Sequence, residues 1–245
     1  MRRALVLVTV AALVGLLPGG AVADENKAQA VPFTFVGTAA ECAPSPAGSR
    51  IVTAAWLGGM GLPDDGGDTA FNGVPDTAKD PHYGLLLSKN GPSPDCSSAG
   101  ARILGARGMS VDATFTLGFD FRNGGHCGAG APRFNVVVTP PTGPNTSHFV
   151  GGCANGVQTP APQDAVEWTR ARFAAAQQFP SIPPGSTIVS ITLLYDEGTD
   201  TASAQDPNGV GLAVVDNIFI DGQFIRTGTG VADGASGVGQ NGRDD

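Results

Sequence analysis

The sequence predicts an all-β protein, built as one antiparallel β-sandwich stapled by disulfides, and three observations support this prediction. The 245 residues include 36 Gly and 19 Pro, which interrupt regular structure and make long helices unfavourable. Hydrophobic residues make up 41% of the chain and charged residues only 15%, so the sequence is not that of a highly charged disordered protein. The four cysteines form an even set, as two disulfides require.

Short runs with strand character alternate with turn clusters between residues 32 and 226, and this pattern is typical of a sandwich domain. The period of two is clearest over residues 114–122, where apolar side chains alternate with polar or small ones. Residues 188–194 are apolar on both faces, which predicts a central strand. A short helical turn is expected at 174–178. The predicted strands are 32–38, 50–56, 83–88, 101–106, 111–121, 133–139, 147–150, 166–173, 187–195, 211–220 and 223–226.

The two ends of the chain predict an exported protein. Residues 1–23 combine two arginines, an apolar run over 4–17 and a small-x-small cleavage signal, which are the features of a secretory signal peptide. The apolar run is too short to cross a bilayer, since a spanning helix needs about 20 apolar residues. We expect residues 24–31 to be loose and the Gly-rich tail, 227–245, to be disordered. The predicted location is therefore secreted, with no membrane insertion after cleavage.

The charge of the chain argues against nucleic acids and anionic membranes as partners. The formal net charge is -8 at pH 7, and removal of a signal peptide that carries two arginines would make it more negative. Nucleic acids and anionic membranes are bound largely through Lys and Arg. We therefore expect no nucleic-acid partner.

The four cysteines are Cys42, Cys96, Cys127 and Cys153, and sequence alone permits three pairings. We favour Cys42 with Cys96 and Cys127 with Cys153, because each pair then lies within one half of the chain and brackets turn-rich sequence. A zinc site is disfavoured because the sequence has no CxxC pair. A Cys127–Cys153 bridge would bring residues 123–127 against residues 151–156 and form a stapled rim able to receive a ligand.

Candidate ligand-binding residues crowd the stretch 120–135, where charged and polar side chains surround a Gly-rich loop. A structural alternative is that the arginines here pair with carboxylates while the glycines supply turns. Tyr83, an aromatic residue at the start of a predicted strand, is another candidate. Trp56 and Trp168 are expected in the core. The candidate ligand-binding residues are His126, Arg133, Arg122, Asp120 and Tyr83.

Two acidic, turn-rich stretches, 62–76 and 196–200, have the oxygen ligands that Ca²⁺ prefers, although neither matches the spacing of an EF-hand loop. In the second stretch the candidate ligands are Asp196 and Asp200. The alternative for both stretches is a solvated acidic loop.

The C-terminal segments TIVSITLLYDEGTD (187–200) and GLAVVDNIFIDG (211–222) resemble the closing strands of carbohydrate-binding-module jelly rolls. The resemblance implies a sandwich of the jelly-roll type and a structural Ca²⁺ held in part by Asp216. The ligand-stacking aromatic residues of that group have no assigned position here, and Asp216 and Asn217 could instead form a bulge. The middle segments SKNGPSPDC and GGHCGAGAPRFNVV resemble a family of exported bacterial proteins, which implies no activity.

Catalytic motifs are absent from the sequence: it contains no G-x-S-x-G elbow, no HExxH and no P-loop. Together with the resemblance, this absence favours a non-catalytic binding module for an extracellular glycan. One alternative is a secreted hydrolase of extracellular polymers, with His126, Asp120 or Glu167 in its site. Another is a structural or adhesive surface protein.

Overall fold

The computed structural model describes residues 28–48, 51–62, 82–226 and 228. The predicted signal peptide, most of the predicted tail and most of the acidic stretch 62–76 lie outside these residues.

The described residues form thirteen β-strands, one short α-helix and two 3₁₀ turns. In chain order they are β1 (Gln29–Val36), α1 (Ala39–Cys42), β2 (Val52–Leu57), β3 (Gly84–Lys89), β4 (Ser97–Leu104), β5 (Leu117–Arg122), β6 (Arg133–Thr139), β7 (Thr146–Gly151), a 3₁₀ turn (Cys153–Asn155), β8 (Val157–Pro160), β9 (Trp168–Phe173), a 3₁₀ turn (Ala175–Gln177), β10 (Gln178–Phe179), β11 (Thr187–Tyr195), β12 (Leu212–Ile220) and β13 (Gln223–Ile225).

The strands form two antiparallel sheets that pack face to face, so the predicted all-β sandwich is confirmed. One sheet has six strands in the order β1-β4-β11-β6-β7-β10, and the other has seven, with the order β2-β3-β12-β5-β9-β8 and β13 paired to β12. Within them, β3-β12-β5-β9 and β4-β11-β6-β7 are the two four-stranded halves of a jelly roll. As expected, β11 lies inside its sheet, between β4 and β6.

The core lies between the sheets and is rich in phenylalanine. Phe119 of β5 packs with its ring centroid 5.8 Å from that of Phe134 in β6 and 5.4 Å from that of Phe173 in β9. Leu117 and Phe121 flank Phe119 on the same face of β5 and are equally buried, so the predicted alternation is confirmed. Such rings bury large apolar areas and give the sandwich its main stabilisation.

Strand β5 is shorter than the sequence predicted, because the chain turns before it. The Asp112 side chain accepts a hydrogen bond from the backbone N–H of Thr114 at 2.7 Å, which forms a local Asx-type turn. Phe115 is nevertheless buried in the core. In the same way, β9 begins at Trp168 because Asp164 accepts hydrogen bonds from the two N–H groups of Val166 and Glu167.

Other boundaries also differ from the predicted ones. β1 begins at Gln29, within a stretch that was expected to be loose, because its whole length pairs with β4.

The sequence did not predict β8, β10 or α1. A capping box between Thr38 and Glu41 supports α1, and the T-x-x-E signature was visible in the sequence. The 3₁₀ turn at Ala175–Gln177 lies where a helical turn was expected.

Both tryptophans are buried, as predicted, but on different sides of the seven-stranded sheet. Trp56 belongs to the core between the sheets and donates a hydrogen bond from Nε1 to the Ala30 carbonyl at 2.8 Å. Trp168 belongs to a smaller apolar cluster with Leu62 and Val214. The loop that follows β2 thus covers part of the outer face of this sheet.

Two disulfides join the predicted partners. Cys42 bonds to Cys96 with the Cα atoms 5.8 Å apart, and Cys127 bonds to Cys153 with the Cα atoms 5.0 Å apart. The first bridge ties α1 to the start of β4, and the second ties the β5–β6 loop to the turn after β7. Such bonds persist in oxidising compartments, so the chain is suited to an extracellular environment.

Across the described ranges, none of the helices has the length and apolar character that a bilayer-spanning helix needs.

Loss of either disulfide is expected to lower stability, because the reduced chain regains the loop entropy that each bridge removes. The closures span 54 and 26 residues, which correspond to roughly 4 and 3.5 kcal/mol in the loop-entropy model. Thermal melting of the C42S/C96S and C127S/C153S variants, and of the native chain with dithiothreitol, checks this. An unchanged melting temperature together with four titratable thiols would contradict it.

Candidate functional site

The second disulfide builds the expected stapled rim. Besides the Cys127–Cys153 bond, the Ala154 N–H donates to the Gly128 carbonyl at 2.9 Å, and the Asn155 side-chain amide donates to the Ala129 carbonyl at 3.2 Å. The β5–β6 loop is therefore held against the turn after β7 by covalent and hydrogen bonds together.

His126 lies inside this rim and is completely buried. Its Nε2 atom is 2.7 Å from Oε2 of Glu197, and its Nδ1 atom is 3.4 Å from Oδ2 of Asp206. The ring also meets the ring of Tyr195 edge-on, with centroids 5.8 Å apart. Because it has no exposed surface, His126 cannot contact a ligand in this conformation. We call these four residues the His126 network.

The His126 network joins the β5–β6 loop to the β11–β12 loop. Glu197 also accepts hydrogen bonds from the backbone N–H groups of Gly130 and Ala131, at 3.1 and 3.0 Å. Burial raises the pKa of the Tyr195 phenol far above its usual value, and the nearby carboxylates add to this effect. Tyr195 is thus a neutral phenol at every physiological pH.

Arg133 lies nearby, on the outer face of the six-stranded sheet. Its guanidinium forms a two-pronged ion pair with Asp196, at 2.5 and 2.7 Å, and stacks over the ring of Phe149 at 5.0 Å. Its Nε atom donates to Oδ1 of Asn135 at 3.1 Å. Arg133 therefore holds the aromatic ring and the amide of its neighbours in place.

Asp120 belongs to a different network, on the outer face of the seven-stranded sheet. It is fully buried and pairs with Arg170 through two bonds, at 2.9 and 3.0 Å. Arg172 lies 3.4 Å away, and Asn217 donates a hydrogen bond at 2.9 Å. Burial lowers the pKa of Arg172 to about 10, and the attraction of Asp120 only partly opposes this. Of the two arginines expected to pair with carboxylates, Arg133 does so, with Asp196, whereas Asp120 pairs with Arg170 and Arg172.

The five candidate ligand-binding residues therefore do not converge on one concave surface. His126 is enclosed and Arg133 borders an open face, whereas Asp120 belongs to the other sheet. Arg122 is exposed at the end of β5. Tyr83 packs partly against the core rather than standing free.

Each of the three candidate metal ligands has hydrogen-bond partners from the protein. Asp216 is buried and accepts hydrogen bonds from the backbone N–H groups of Leu62 and Asn217, at 2.7 and 2.6 Å. Asp196 is paired with Arg133, and Asp200 accepts hydrogen bonds from the N–H and hydroxyl of Ser93. These hydrogen bonds lower the pKa of Asp200. No group of three or more metal-ligating side chains with suitable geometry occurs within the described ranges.

The alternative reading of Asp216 and Asn217 as a bulge is supported. The register between β12 and β5 shifts between Asp216 and Phe219. Asn217 has a φ of 45°, a left-handed conformation that Asn adopts more readily than most residues.

A row of side chains that the sequence analysis missed crosses the outer face of the six-stranded sheet. The register of five neighbouring strands aligns its members, from β4 to β10. The neighbours of Arg102, Thr192 and Asn135 along their strands fill the core, and the register places Phe149 and Phe179 on the same outward face. We call it the outer row; its members are Arg102, Thr192, Asn135, Phe149 and Phe179.

The outer row has a depression at each end. Near β10, a groove of about 260 Å³ is lined in part by Asn135, Ser147, Phe149 and Phe179. Near β4, a smaller depression of about 130 Å³ is lined in part by Arg102 and Thr192. Thr192 itself is nearly buried, so the row is open mainly at its ends. With strands about 4.8 Å apart, the row spans roughly 19 Å.

Part of this row was visible in the sequence. Asn135 stands between the buried Phe134 and Val136 of a predicted strand, which marked it as outward-facing. Phe179 could not be placed, because β10 has only two residues and carries no periodic signal of its own.

Comparison with protein-family models, with curated proteins and with solved structures gives no match to this chain.

Enlarging Gly128 tests the packing of the His126 network. A Cβ atom there would overlap Oε2 of Glu197 and Nε2 of His126, whereas a Cβ on Gly125 in the same loop would meet nothing closer than 3.3 Å. We expect G128A to reduce the free energy of unfolding by about 1–3 kcal/mol and G125A to change it much less. Urea unfolding of both variants measures this. Equal stabilities would show that the loop does not hold the network tightly.

Proposed function

We propose that this protein is a secreted, non-catalytic binding module whose ligand is an extracellular glycan. Its binding surface is the outer row on the six-stranded sheet. The observation that carries the proposal is the pairing of Phe149 and Phe179 at the open end of this row, beside the amide of Asn135 and the hydroxyl of Ser147.

The chemistry of this end of the row suits a sugar ring. Phe179 is 54% exposed, and it lies directly opposite Phe149 in the strand register. Sugar rings present C–H groups on their faces, which aromatic rings can stack against, and hydroxyl groups at their edges, which amides and hydroxyls can bind. A groove of about 260 Å³ with both kinds of group is of the right character for such a ligand.

The rigidity of the surface supports the same proposal. Every member of the outer row stands on a strand, and the ion pair of Arg133 with Asp196 fixes the ring of Phe149 from one side. A preformed surface loses little conformational entropy when a ligand binds. Affinity can therefore come from a few contacts.

The burial and the protein contacts of the residues considered as catalytic support the non-catalytic part of the proposal. His126 and Asp120 are fully buried, and each contacts partners from the protein. Glu167 is exposed, but it belongs to neither of these networks. Secretion is supported by the two disulfides and by the signal-like N-terminus.

Truncation of Phe179 tests the proposal. We expect the native chain to be retained on at least one polymer in a panel of extracellular polysaccharides, and F179A to bind that polymer about tenfold more weakly, since a lost aromatic contact is worth about 1 kcal/mol or more. Affinity electrophoresis measures both. V157A is the matched control, because Val157 is 60% exposed on β8 of the other sheet. Absence of retention of the native chain on every polymer, or equal binding by F179A, would contradict the proposal.

A further inference from the structure

At the other end of the outer row, the part-buried Arg102 has no carboxylate partner within the described ranges. The buried Nε atom of Arg102 has no hydrogen-bond partner among the residues that the structure describes. Its guanidinium carbon lies 5.9 Å from the centroid of the Phe33 ring. This Nε atom is enclosed by the protein, so an anion in the depression would bind the terminal guanidinium nitrogens of Arg102 instead.

The other part-buried arginines differ from Arg102 in this respect. Arg133 pairs with Asp196, and both Arg170 and Arg172 pair with Asp120. Arg226, also part-buried, donates from Nε to the amide oxygen of Asn217 at 2.8 Å, so each of these four guanidinium groups has an acceptor from the protein. Arg102 differs from them, since no such acceptor faces it among the described residues.

The depression itself has the composition of an anion site. Arg107 also lines it, together with the hydroxyl-bearing residues Ser190 and Thr192. Its volume of about 130 Å³ far exceeds the ~10–15 Å³ that one water molecule requires. Guanidinium groups bind carboxylates and sulfates through paired, charge-assisted hydrogen bonds.

We infer that the glycan is acidic, and that its carboxylate or sulfate group binds to Arg102 and Arg107 while a neutral ring stacks at Phe149 and Phe179. This inference rests on the proposed function and specifies its ligand. Arg102 and Phe149 stand three strands apart, or roughly 14 Å. One chain of a few sugar units can reach both ends of the row.

The overall charge of the protein limits how the anion is attracted. The chain carries a formal charge of -8, so its long-range field repels an acidic polymer. Recognition must then come from contacts at the depression, where low exposure strengthens the guanidinium interaction. Only one or two positive charges take part, so we expect binding to weaken modestly with added salt.

Matched polymers test the inference. The native chain is assayed against polygalacturonate and its carboxyl-reduced form, and against a sulfated polysaccharide and its desulfated form. We expect at least one acidic polymer to bind, its neutral counterpart to bind about tenfold more weakly, and R102Q to lose a similar factor on the acidic polymer only. The two polymer pairs distinguish a carboxylate from a sulfate.

A control variant and melting temperatures distinguish a loss of binding from a loss of folding. R122Q is the control, because Arg122 is exposed on the other sheet. The melting temperature of R102Q shows whether this variant is folded. If it is not, R107Q replaces it, because Arg107 is exposed; we then expect a smaller loss of affinity for the acidic polymer. Equal binding to acidic and neutral forms, or no effect of either arginine variant while F179A still weakens binding, would overturn the inference and leave the proposed function standing. Failure to bind any polymer would overturn both.

Discussion

The packing of two pleated sheets against each other is the constraint on which the other features of this protein depend. Phe119, Phe134 and Phe173 fill the space between the sheets, and this fixes which face of each strand is buried. Because side chains alternate along a strand, every residue next to a core residue must face outward. The outer row follows directly from this requirement, since its members are the neighbours of buried residues on five adjacent strands.

A second consequence is that charges carried into the interior need partners. The fold meets this need locally: Glu197 and Asp206 flank His126, and Asp120 holds two arginines. Removing one partner from a buried ion pair leaves an uncompensated charge, which is strongly destabilising. These networks therefore fasten loops and sheets rather than act on a ligand, whereas the Nε atom of Arg102 has no acceptor among the described residues.

The second disulfide and the proposed binding surface lie in different parts of the fold. The Cys127–Cys153 bond closes one rim of the sandwich around the His126 network, whereas the outer row lies on the face of a sheet. A stapled rim with buried polar contacts makes a stiff frame. Strands held in such a frame keep the aromatic and polar side chains of the row in position before a ligand arrives.

The sequence by itself determined the all-β class and most of the central strands, because alternation and turn residues are local signals. It favoured one of three disulfide pairings, and the structure shows that pairing. It did not determine which charged residues would meet. Asp120 and Arg170 lie 50 positions apart, and His126 and Glu197 lie 71 apart. Their pairing depends on strand order and register, as does the alignment of Phe179 with Phe149. Only the tertiary structure decided these contacts, since nothing local in the chain encodes the neighbour across a sheet.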